Sequence, residues 1–130
     1  MSAPFSTEGT LNLPGAPGLS ADPLPFGFAG SYNAKASFEY LFPVGVPGTK
    51  TVDFGSLPAE GAKVLLVVLE SVDDQTPSPP ILITLNGGNQ PVEVTAGGFL
   101  CVGNPTPADG VTSMDIAYTD TGKVRVWLLG

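Results

Sequence analysis

The sequence predicts an all-β fold, namely a two-sheet antiparallel sandwich of about eight strands, most economically a jelly roll, preceded by an extended N-terminal arm. Short apolar or alternating stretches are separated by Gly, Pro, Asn and Asp clusters, which is typical of strands and turns. No stretch makes a convincing helix, and composition shifts near residue 30. An immunoglobulin-like sandwich is the alternative, but its paired cysteines with a tryptophan between them are missing.

Residues 1–30 are predicted to be an extended Pro/Gly-rich arm, and residues 31–130 the β-sandwich domain. Five prolines and five glycines in the arm exclude a helix and disfavour a central strand. Large apolar side chains still recur there, and burying each contributes roughly 1.5–3 kcal/mol. We therefore expect an irregular arm that docks on a neighbour or on its own domain; a floppy tail is the alternative. The residues expected to make this contact are Leu11, Leu13, Leu19, Leu24, Phe26 and Phe28.

Strand signals begin at residue 31. Residues 31–42 alternate, with Tyr32, Ala34, Ala36, Phe38, Tyr40 and Phe42 on the predicted apolar face. The turn-rich segment 43–48 ends this strand, and residues 50–54 form a short second one. Residues 64–69 are apolar at every position, which predicts a central strand covered on both sides.

A hairpin is predicted over residues 81–95. Residues 81–86 and 89–95 flank Gly87 and Gly88, which can supply the positive φ of a tight turn. Pro91 lacks a backbone donor and marks the second strand as an edge strand.

Two further elements complete the predicted domain. Residues 98–102 form a short buried strand. Residues 112–119 and 123–129 alternate around the turn at 120–122 and predict a C-terminal hairpin.

The charge pattern argues against nucleic acid and anionic membranes as partners. The net charge is −7, and the five basic residues are scattered through the chain: Lys35, Lys50, Lys63, Lys123 and Arg125. Binding a phosphate backbone needs clustered cations. Only 13% of residues are charged, against roughly 25% in average soluble proteins. A surface with few charges suits protein contacts, because little charge must be desolvated on docking.

The sequence offers little catalytic chemistry, and we expect no enzymatic activity and no metal or organic cofactor. There is no histidine, which removes the commonest general base and metal ligand. Cys101 is the single cysteine, so we expect a small buried hydrophobe rather than a nucleophile or a metal ligand. Asp73 and Asp74 could place oxygens near Ca²⁺, but a solvated loop start is the favoured interpretation.

No targeting or membrane segment is expected. The first residues have neither a basic region nor a continuous apolar one, unlike a signal peptide. The longest apolar run, residues 64–69, is too short to cross a bilayer. We expect synthesis in the cytoplasm.

The C-terminal half carries a family resemblance. It runs from Ile81-Leu-Ile-Thr-Leu-Asn-Gly-Gly to Lys123-Val-Arg-Val-Trp-Leu-Leu-Gly130, and it ends on a strand, an Asp-Thr-Gly turn and Val-x-Val-x-Leu-x-Gly. Over about fifty residues it resembles the small β-sandwich decoration (cement) proteins of tailed bacteriophage heads. The resemblance implies a virion protein on the capsid surface that binds the major capsid protein, with a homotrimer favoured. It assigns no residue a role, and tail or head-fibre subunits look alike.

A second function class stays open. Loops 73–80 and 103–110 could form the site of a carbohydrate- or receptor-binding module of a phage tail or head fibre. Thermal stabilisation by glycans would favour this class, and lattice binding without a glycan response would favour the decoration protein.

Overall fold

The computed structural model describes residues 3–11, 24–55, 57–73, 75–103 and 110–130. These residues form ten β-strands and no helix: β1 Ala3–Leu11, β2 Leu24–Tyr32, β3 Lys35–Phe42, β4 Gly48–Thr51, β5 Val64–Glu70, β6 Ile81–Leu85, β7 Val92–Val94, β8 Phe99–Gly103, β9 Met114–Tyr118 and β10 Gly122–Leu129. The predicted all-β class is confirmed.

Eight strands make two four-stranded antiparallel sheets. Sheet I has the order β3-β10-β5-β8, and sheet II has the order β4-β9-β6-β7. The pairs are nested along the chain, since β3 pairs with β10, β4 with β9, β5 with β8, and β6 with β7. The predicted two-sheet sandwich of eight strands is confirmed. Strands β1 and β2 form a separate two-stranded sheet.

One apolar core lies between the two sheets, because alternate side chains of each strand point inward. Sheet I contributes a fully buried row on β5 and another on β10, and sheet II contributes β6 and β9. The rings of Phe42 and Tyr118 stack across the core with centroids 4.4 Å apart. The largest fully buried side chains are Phe42, Leu65, Leu69, Ile81, Ile83, Met114, Ile116 and Leu128.

The predicted strand 31–42 is divided in two. The backbone N–H groups of Asn33 and Ala34 both donate to the carbonyl oxygen of Gly130, at 2.7 and 3.1 Å. This contact ends β2 at Tyr32 and starts β3 at Lys35. The apolar face predicted for residues 36–42 lies on the core, whereas Tyr32 belongs to the two-stranded sheet.

The predicted C-terminal hairpin is wrong. Strands β9 and β10 follow each other in sequence but belong to different sheets. The carboxylate of Asp120 accepts hydrogen bonds from the N–H groups of Gly45 and Thr121, both at 2.7 Å, and fixes the crossing between the sheets. Alternation tells which face of a strand is buried, but it does not choose the pairing partner.

The predicted hairpin of residues 81–95 is present with a shifted turn. Asn86 and Gly87 have φ values of 52° and 65°, and Gly88 N–H donates to Leu85 O at 3.0 Å. The two residues with positive φ are thus Asn86 and Gly87, rather than Gly87 and Gly88 as predicted. Asparagine tolerates the left-handed region, and the Oδ1 atom of Asn86 accepts a hydrogen bond from Thr112 N–H at 2.8 Å. Strand β7 lies at the edge of sheet II, as Pro91 predicts.

Connections of the sandwich gather at two opposite ends. The arm end holds residues 33–34, 52–55, 57–63, 86–91, 110–113 and Gly130, linked by contacts such as Ala62–Val111 and Lys63–Leu129. The far end holds residues 43–47, 71–73, 75–80, 95–98 and 119–121, linked by Gly45–Asp120 and Gly97–Leu69. The two-stranded sheet joins the sandwich at the arm end.

Candidate functional site

The arm contains a regular hairpin, which differs from the irregular segment expected from its prolines. Strands β1 and β2 pair antiparallel from Ala3↔Tyr32 to Leu11↔Leu24. Neither strand pairs with a strand of the sandwich among the described residues. Proline is compatible with this hairpin because both strands of a two-stranded sheet are edge strands. On the side of an edge strand that faces solvent, the missing backbone N–H group removes no hydrogen bond between the strands.

One face of this hairpin is exposed at every described position: Pro4, Ser6, Glu8, Gly27, Ala29 and Ser31. Of the predicted contact residues, Leu11, Leu24, Phe26 and Phe28 belong to β1 and β2, but the structure does not describe their side chains. Leu13 and Leu19 lie outside the described residues. The contact of these six residues with a partner stays a prediction.

A second surface, missed by the sequence interpretation, is the outer face of sheet I. Its apolar band consists of Val64, Leu66, Val68, Phe99, Cys101, Trp127 and Leu129. Register puts Trp127, Leu66 and Cys101 in one row across the sheet, and Val68 and Phe99 in the next. Phe99 is 63% exposed and Trp127 41% exposed, so two large aromatic rings stand at the surface. Trp and Phe are enriched in the cores of protein interfaces.

Shallow grooves flank Trp127 on this face. One has a volume of about 340 Å³ and is lined by Lys35, Ser37, Trp127 and Leu129. The other, of about 260 Å³, has Glu39 and Arg125 at its wall. The indole ring of Trp127 therefore protrudes between two grooves. A protein partner could place its own side chains in these grooves.

A charged corner borders the apolar band. Lys123 Nζ lies 3.0 Å from Glu39 Oε1, and Arg125 Nε lies 3.5 Å from Glu39 Oε2 and 3.4 Å from Glu70 Oε1. The hydrogen bond from Lys123 lowers the pKa of Glu39. Burial opposes this shift, and the charges of Lys123 and Arg125 add to it. The corner resembles the polar rim that surrounds the apolar centre of an interface.

Three expectations about this face need correction. The run 64–69 predicts a strand covered on both sides, but Leu66 and Val68 stay partly exposed. The buried strand predicted at 98–102 has Phe99 at the surface. Cys101 is half-buried on the outer face rather than buried in the core, and burial raises the pKa of its thiol. Residues 64–69 are apolar at every position, which predicts that both faces of this strand are covered. Within the described part of the chain, no other element of the sandwich packs against the outer side chains Leu66 and Val68 closely enough to bury them.

Sheet II has a polar outer face. Its residues are Thr49, Thr51, Leu82, Thr84, Glu93, Asp115 and Ala117. Thr51 Oγ1 donates to Asp115 Oδ1 at 2.7 Å, so polar groups on this face bond each other. This face suits contact with water.

The two loops considered for a ligand site are described only in part. The described residues of loop 73–80 lie at the far end, whereas Gly103 and Gly110 lie at the arm end, beside Val64 and Ala62. Residue 74 and residues 104–109 lie outside the described part. A ligand site in these loops stays a prediction.

Asp73 has a structural role in its loop. Its Oδ1 accepts hydrogen bonds from Gln75 N–H at 2.9 Å and Thr76 N–H at 2.6 Å, while Asp74 lies outside the described residues. Within the described ranges, no three or more His, Cys, Asp or Glu side chains come together in a group that could hold a metal ion.

An aromatic cluster lies at the open side between edge strands β3 and β4. Phe38 and Tyr40 stack at 6.3 Å, Tyr40 and Tyr118 lie 6.1 Å apart, and Lys50 Nζ sits 4.9 Å from the centre of the Tyr40 ring. Hydrogen bonding to Tyr40, and then burial, raises the pKa of Tyr118. All four side chains are half-buried, so their edges reach the surface.

Comparisons with known proteins add no relative. No family model matches the chain, no curated protein matches it, and no solved structure matches its fold. Over the part of the chain that the structure describes, no helix has the length and apolarity needed to span a membrane. The two surfaces above therefore carry the functional argument.

Proposed function

We propose that this chain is a non-enzymatic virion structural protein, a decoration (cement) subunit that binds the major capsid lattice of a tailed bacteriophage head and stabilises it. The observation that carries the proposal is the apolar outer face of sheet I, where Phe99 and Trp127 are exposed. A contiguous apolar patch on a small domain marks a protein-binding surface.

The hairpin arm supports the same proposal. An isolated two-stranded hairpin is marginally stable in water, because it lacks further strands or another surface to pack against. The β1–β2 sheet pairs with no strand of the sandwich among the described residues, so we expect it to become stable when it lies on another protein surface. Assembly proteins gain binding free energy from such arms without any chemistry.

The strand order supports a capsid-type architecture. We infer that the sandwich is a jelly roll, because its nested pairs β3–β10, β4–β9, β5–β8 and β6–β7 are what results when a long antiparallel ribbon rolls into two sheets. Jelly rolls occur in viral capsid and lectin domains. Fold alone does not set function, so the exposed surfaces have the larger weight.

The remaining chemistry suits a structural role. The chain has no histidine, and several described carboxylates serve structural contacts: Glu39 and Glu70 pair with Arg125, and Asp73 and Asp120 bind backbone N–H groups. We propose no catalytic residue and no cofactor. With a net charge of −7, we propose protein partners only, namely the major capsid protein and further copies of this chain, a trimer being favoured. The proposed location is the capsid surface, after synthesis in the host cytoplasm.

Binding to heads tests the proposal. The purified full chain is mixed with phage heads that lack it, and co-sedimentation and the temperature of head disruption are measured. We expect saturable binding at regular lattice positions and a higher disruption temperature. Failure to bind heads at micromolar concentration would contradict the proposal.

An arm deletion sharpens this test. Removing residues 1–32 keeps Asn33 and Ala34 for their bonds to Gly130. We expect a folded sandwich by circular dichroism and affinity for heads or for other copies weakened by orders of magnitude. The matched control replaces Val44 and Val46 by serine, because these side chains are 78% and 54% exposed at the far end. Unchanged affinity after deletion would make the arm a tail, and loss of folding would make it part of the subunit core.

A carbohydrate-binding module is the second candidate, and the aromatic cluster of Phe38, Tyr40 and Tyr118 favours it. Aromatic rings at a surface edge can stack on sugars, and Lys50 adds a hydrogen-bond donor. Screening on a glycan array, with Tyr40→Ala as the matched variant, distinguishes the candidates. A glycan response lost in Tyr40→Ala together with no head binding would favour this second function.

A further inference from the structure

We propose that the edge strand β8 is an interaction surface for a second copy of this chain, whose own β8 pairs with it antiparallel about a two-fold axis at Cys101. The pairing joins the two four-stranded copies of sheet I into one continuous sheet. The contact involves copies of this chain only, so it does not depend on binding to heads.

Three of the four sheet edges carry features that discourage pairing with a further strand. Strand β7 is three residues long, directly follows Pro91 and contains Glu93. Strand β4 is four residues long and contains Lys50. Strand β3 is longer but contains Lys35 and Glu39. Short length, proline and charged side chains are the features by which natural sheets avoid edge-to-edge pairing.

The fourth edge, β8, has neither charge nor proline among its five residues, Phe99–Gly103. Among the described residues β8 pairs with β5 alone, so it lies at the edge of sheet I. Alternate N–H and C=O groups of an antiparallel strand point away from its neighbour, and on β8 no described strand pairs with these groups. Unpaired main-chain groups on an apolar edge form a template for another strand.

The side chains of β8 are incompletely covered on both of its faces. Phe99 is 63% exposed on the outer face. Leu100 and Val102 pack against the core but are only half-buried, whereas their neighbours on β5, Val67 and Leu65, are fully buried. The core is therefore open along this edge. A strand added beside β8 covers apolar side chains on both faces and also pairs with the main-chain groups.

The sequence of β8 is complementary to itself. With Cys101 on the axis, all five residues of each strand have a partner. Phe99 lies opposite the partner's Gly103, so the exposed ring covers a position that has no side chain of its own. Leu100 lies opposite the partner's Val102, which makes an apolar pair on the core side. Within the strand pair no charge meets a like charge, although the chain has a net charge of −7. These matches favour a second copy as the occupant.

The expected contact is small. A five-residue strand is about 17 Å long, and its antiparallel pairing makes about four to six main-chain hydrogen bonds. A contact of this size belongs to the weak class of interfaces, so we expect a dissociation constant on the order of 100 µM. Its two-fold symmetry makes it a different contact from one that holds a trimer together. It leaves Trp127, two strands away from β8, available to the partners proposed above.

Disulfide trapping of the full-length chain tests the inference. Cys101 is the single cysteine, and on the axis the Cα atoms of its two copies lie about 4.5–5.5 Å apart, within the range that a disulfide needs. The chain is treated with copper phenanthroline in air at about pH 8.5, because the pKa of the Cys101 thiol is raised. We expect a disulfide-linked dimer whose yield rises with protein concentration around the expected dissociation constant.

The matched control moves the cysteine to the neighbouring strand, by combining Leu66→Cys with Cys101→Ser. Leu66 lies beside Cys101 on the outer face and is also half-buried. Edge pairing keeps the two copies of position 66 about 14 Å apart, so the dimer yield should be at least about tenfold lower. Sheets packed face to face, or random collisions, would give similar yields for positions 66 and 101. That result would overturn the inference, and so would the absence of a dimer from the native chain.

The register is tested with two differently tagged copies that both carry Cys101→Ser. One copy carries Phe99→Cys and the other Gly103→Cys, so that the mixed dimer keeps one native Phe99–Gly103 pair. Position 99 lies beside the partner's position 103 but about 14 Å from the partner's position 99, so the mixture should cross-link at least about tenfold more than either copy alone. Equal yields would overturn the antiparallel register.

A charge on the edge provides a last check. Phe99→Lys gives β8 the kind of side chain that protects the other edges, and it should lower the yield of the Cys101-linked dimer at least about tenfold. Circular dichroism of this variant should match that of the native chain, and an unchanged dimer yield in a folded variant would contradict the proposed pairing. All these measurements use this protein alone, so their failure is distinct from a failure to bind heads.

Discussion

The two sheets of the sandwich present different faces to the outside. Sheet I shows an apolar band with two exposed aromatic rings, whereas sheet II shows threonines and carboxylates that bond each other. Both sheets have the same strand number and a shared core, so folding does not require this difference. An antiparallel sheet with one solvated face is normally polar on that face, as sheet II is. The difference therefore supports the proposal that sheet I is the sheet that meets another protein.

The largest expected effect is a difference in the free energy of unfolding between variants on the inner and the outer face of β10. Leu128 is fully buried in the core, and Leu129 lies next to it on the outer face. We expect Leu128→Ala to lower the free energy of unfolding by about 2–5 kcal/mol. Leu129→Ala should lower it by less than about 1 kcal/mol in dilute monomer. Urea denaturation below the association range measures both, and equal losses would mean that the outer band is needed for folding.

A second pair of variants compares the two sheets directly. Trp127 on sheet I and Leu82 on sheet II are 41% and 40% exposed, both on inner strands of their sheets. Trp127→Ser should weaken self-association by roughly 30-fold or more, as expected for a tryptophan at the centre of an interface. Leu82→Ser should change it by less than about threefold. Sedimentation equilibrium gives both constants, and similar losses would remove the distinction between the faces.

The smallest effect concerns the charged corner of sheet I. Hydrogen bonding from Lys123 lowers the pKa of Glu39 in the folded state, so this interaction stabilises the protein when the carboxyl is ionised. Glu39→Gln should therefore be slightly less stable than the native chain near neutral pH. The difference should shrink as pH falls below the ordinary value of 4.5 and through the lowered folded pKa. Urea melts from about pH 7 to about pH 3 test this, and a difference that grows toward acid pH would contradict it.

Alternation in the sequence was enough to predict the class of fold and the core face of β3, because a half-buried strand repeats every two residues. It could not predict that β9 and β10 lie in different sheets, since both strands have an inner apolar face whichever partner they pair with. Nor could it divide residues 31–42, because the division comes from the contact of Asn33 and Ala34 with Gly130, about a hundred residues away.

The candidate site was only partly predictable. The apolar content of the arm predicts contact residues, which stay a prediction because the structure does not describe their side chains. The hairpin itself was not predicted, because the prolines argue against paired strands. The outer band combines side chains from β5, β8 and β10, so no single segment shows it. The run 64–69 indicated a covered face, and only the sheet order shows that Trp127 and Phe99 join it.

The clamp at the root of the hairpin determines how the molecule responds to mechanical tension. Asn33 and Ala34 are tied to the C-terminal residue, and directly beyond them β3 lies against β10 over eight residue pairs, from Lys35↔Leu129 to Phe42↔Gly122. Hydrogen bonds in an antiparallel pair run perpendicular to the strands, so a pull along the arm loads this ladder in shear, with all its bonds sharing the force. Because β10 is bonded on its other side to β5, the force continues into the middle of sheet I. A subunit held by its arm on an expanding or pressurised surface would thus resist unzipping strand by strand.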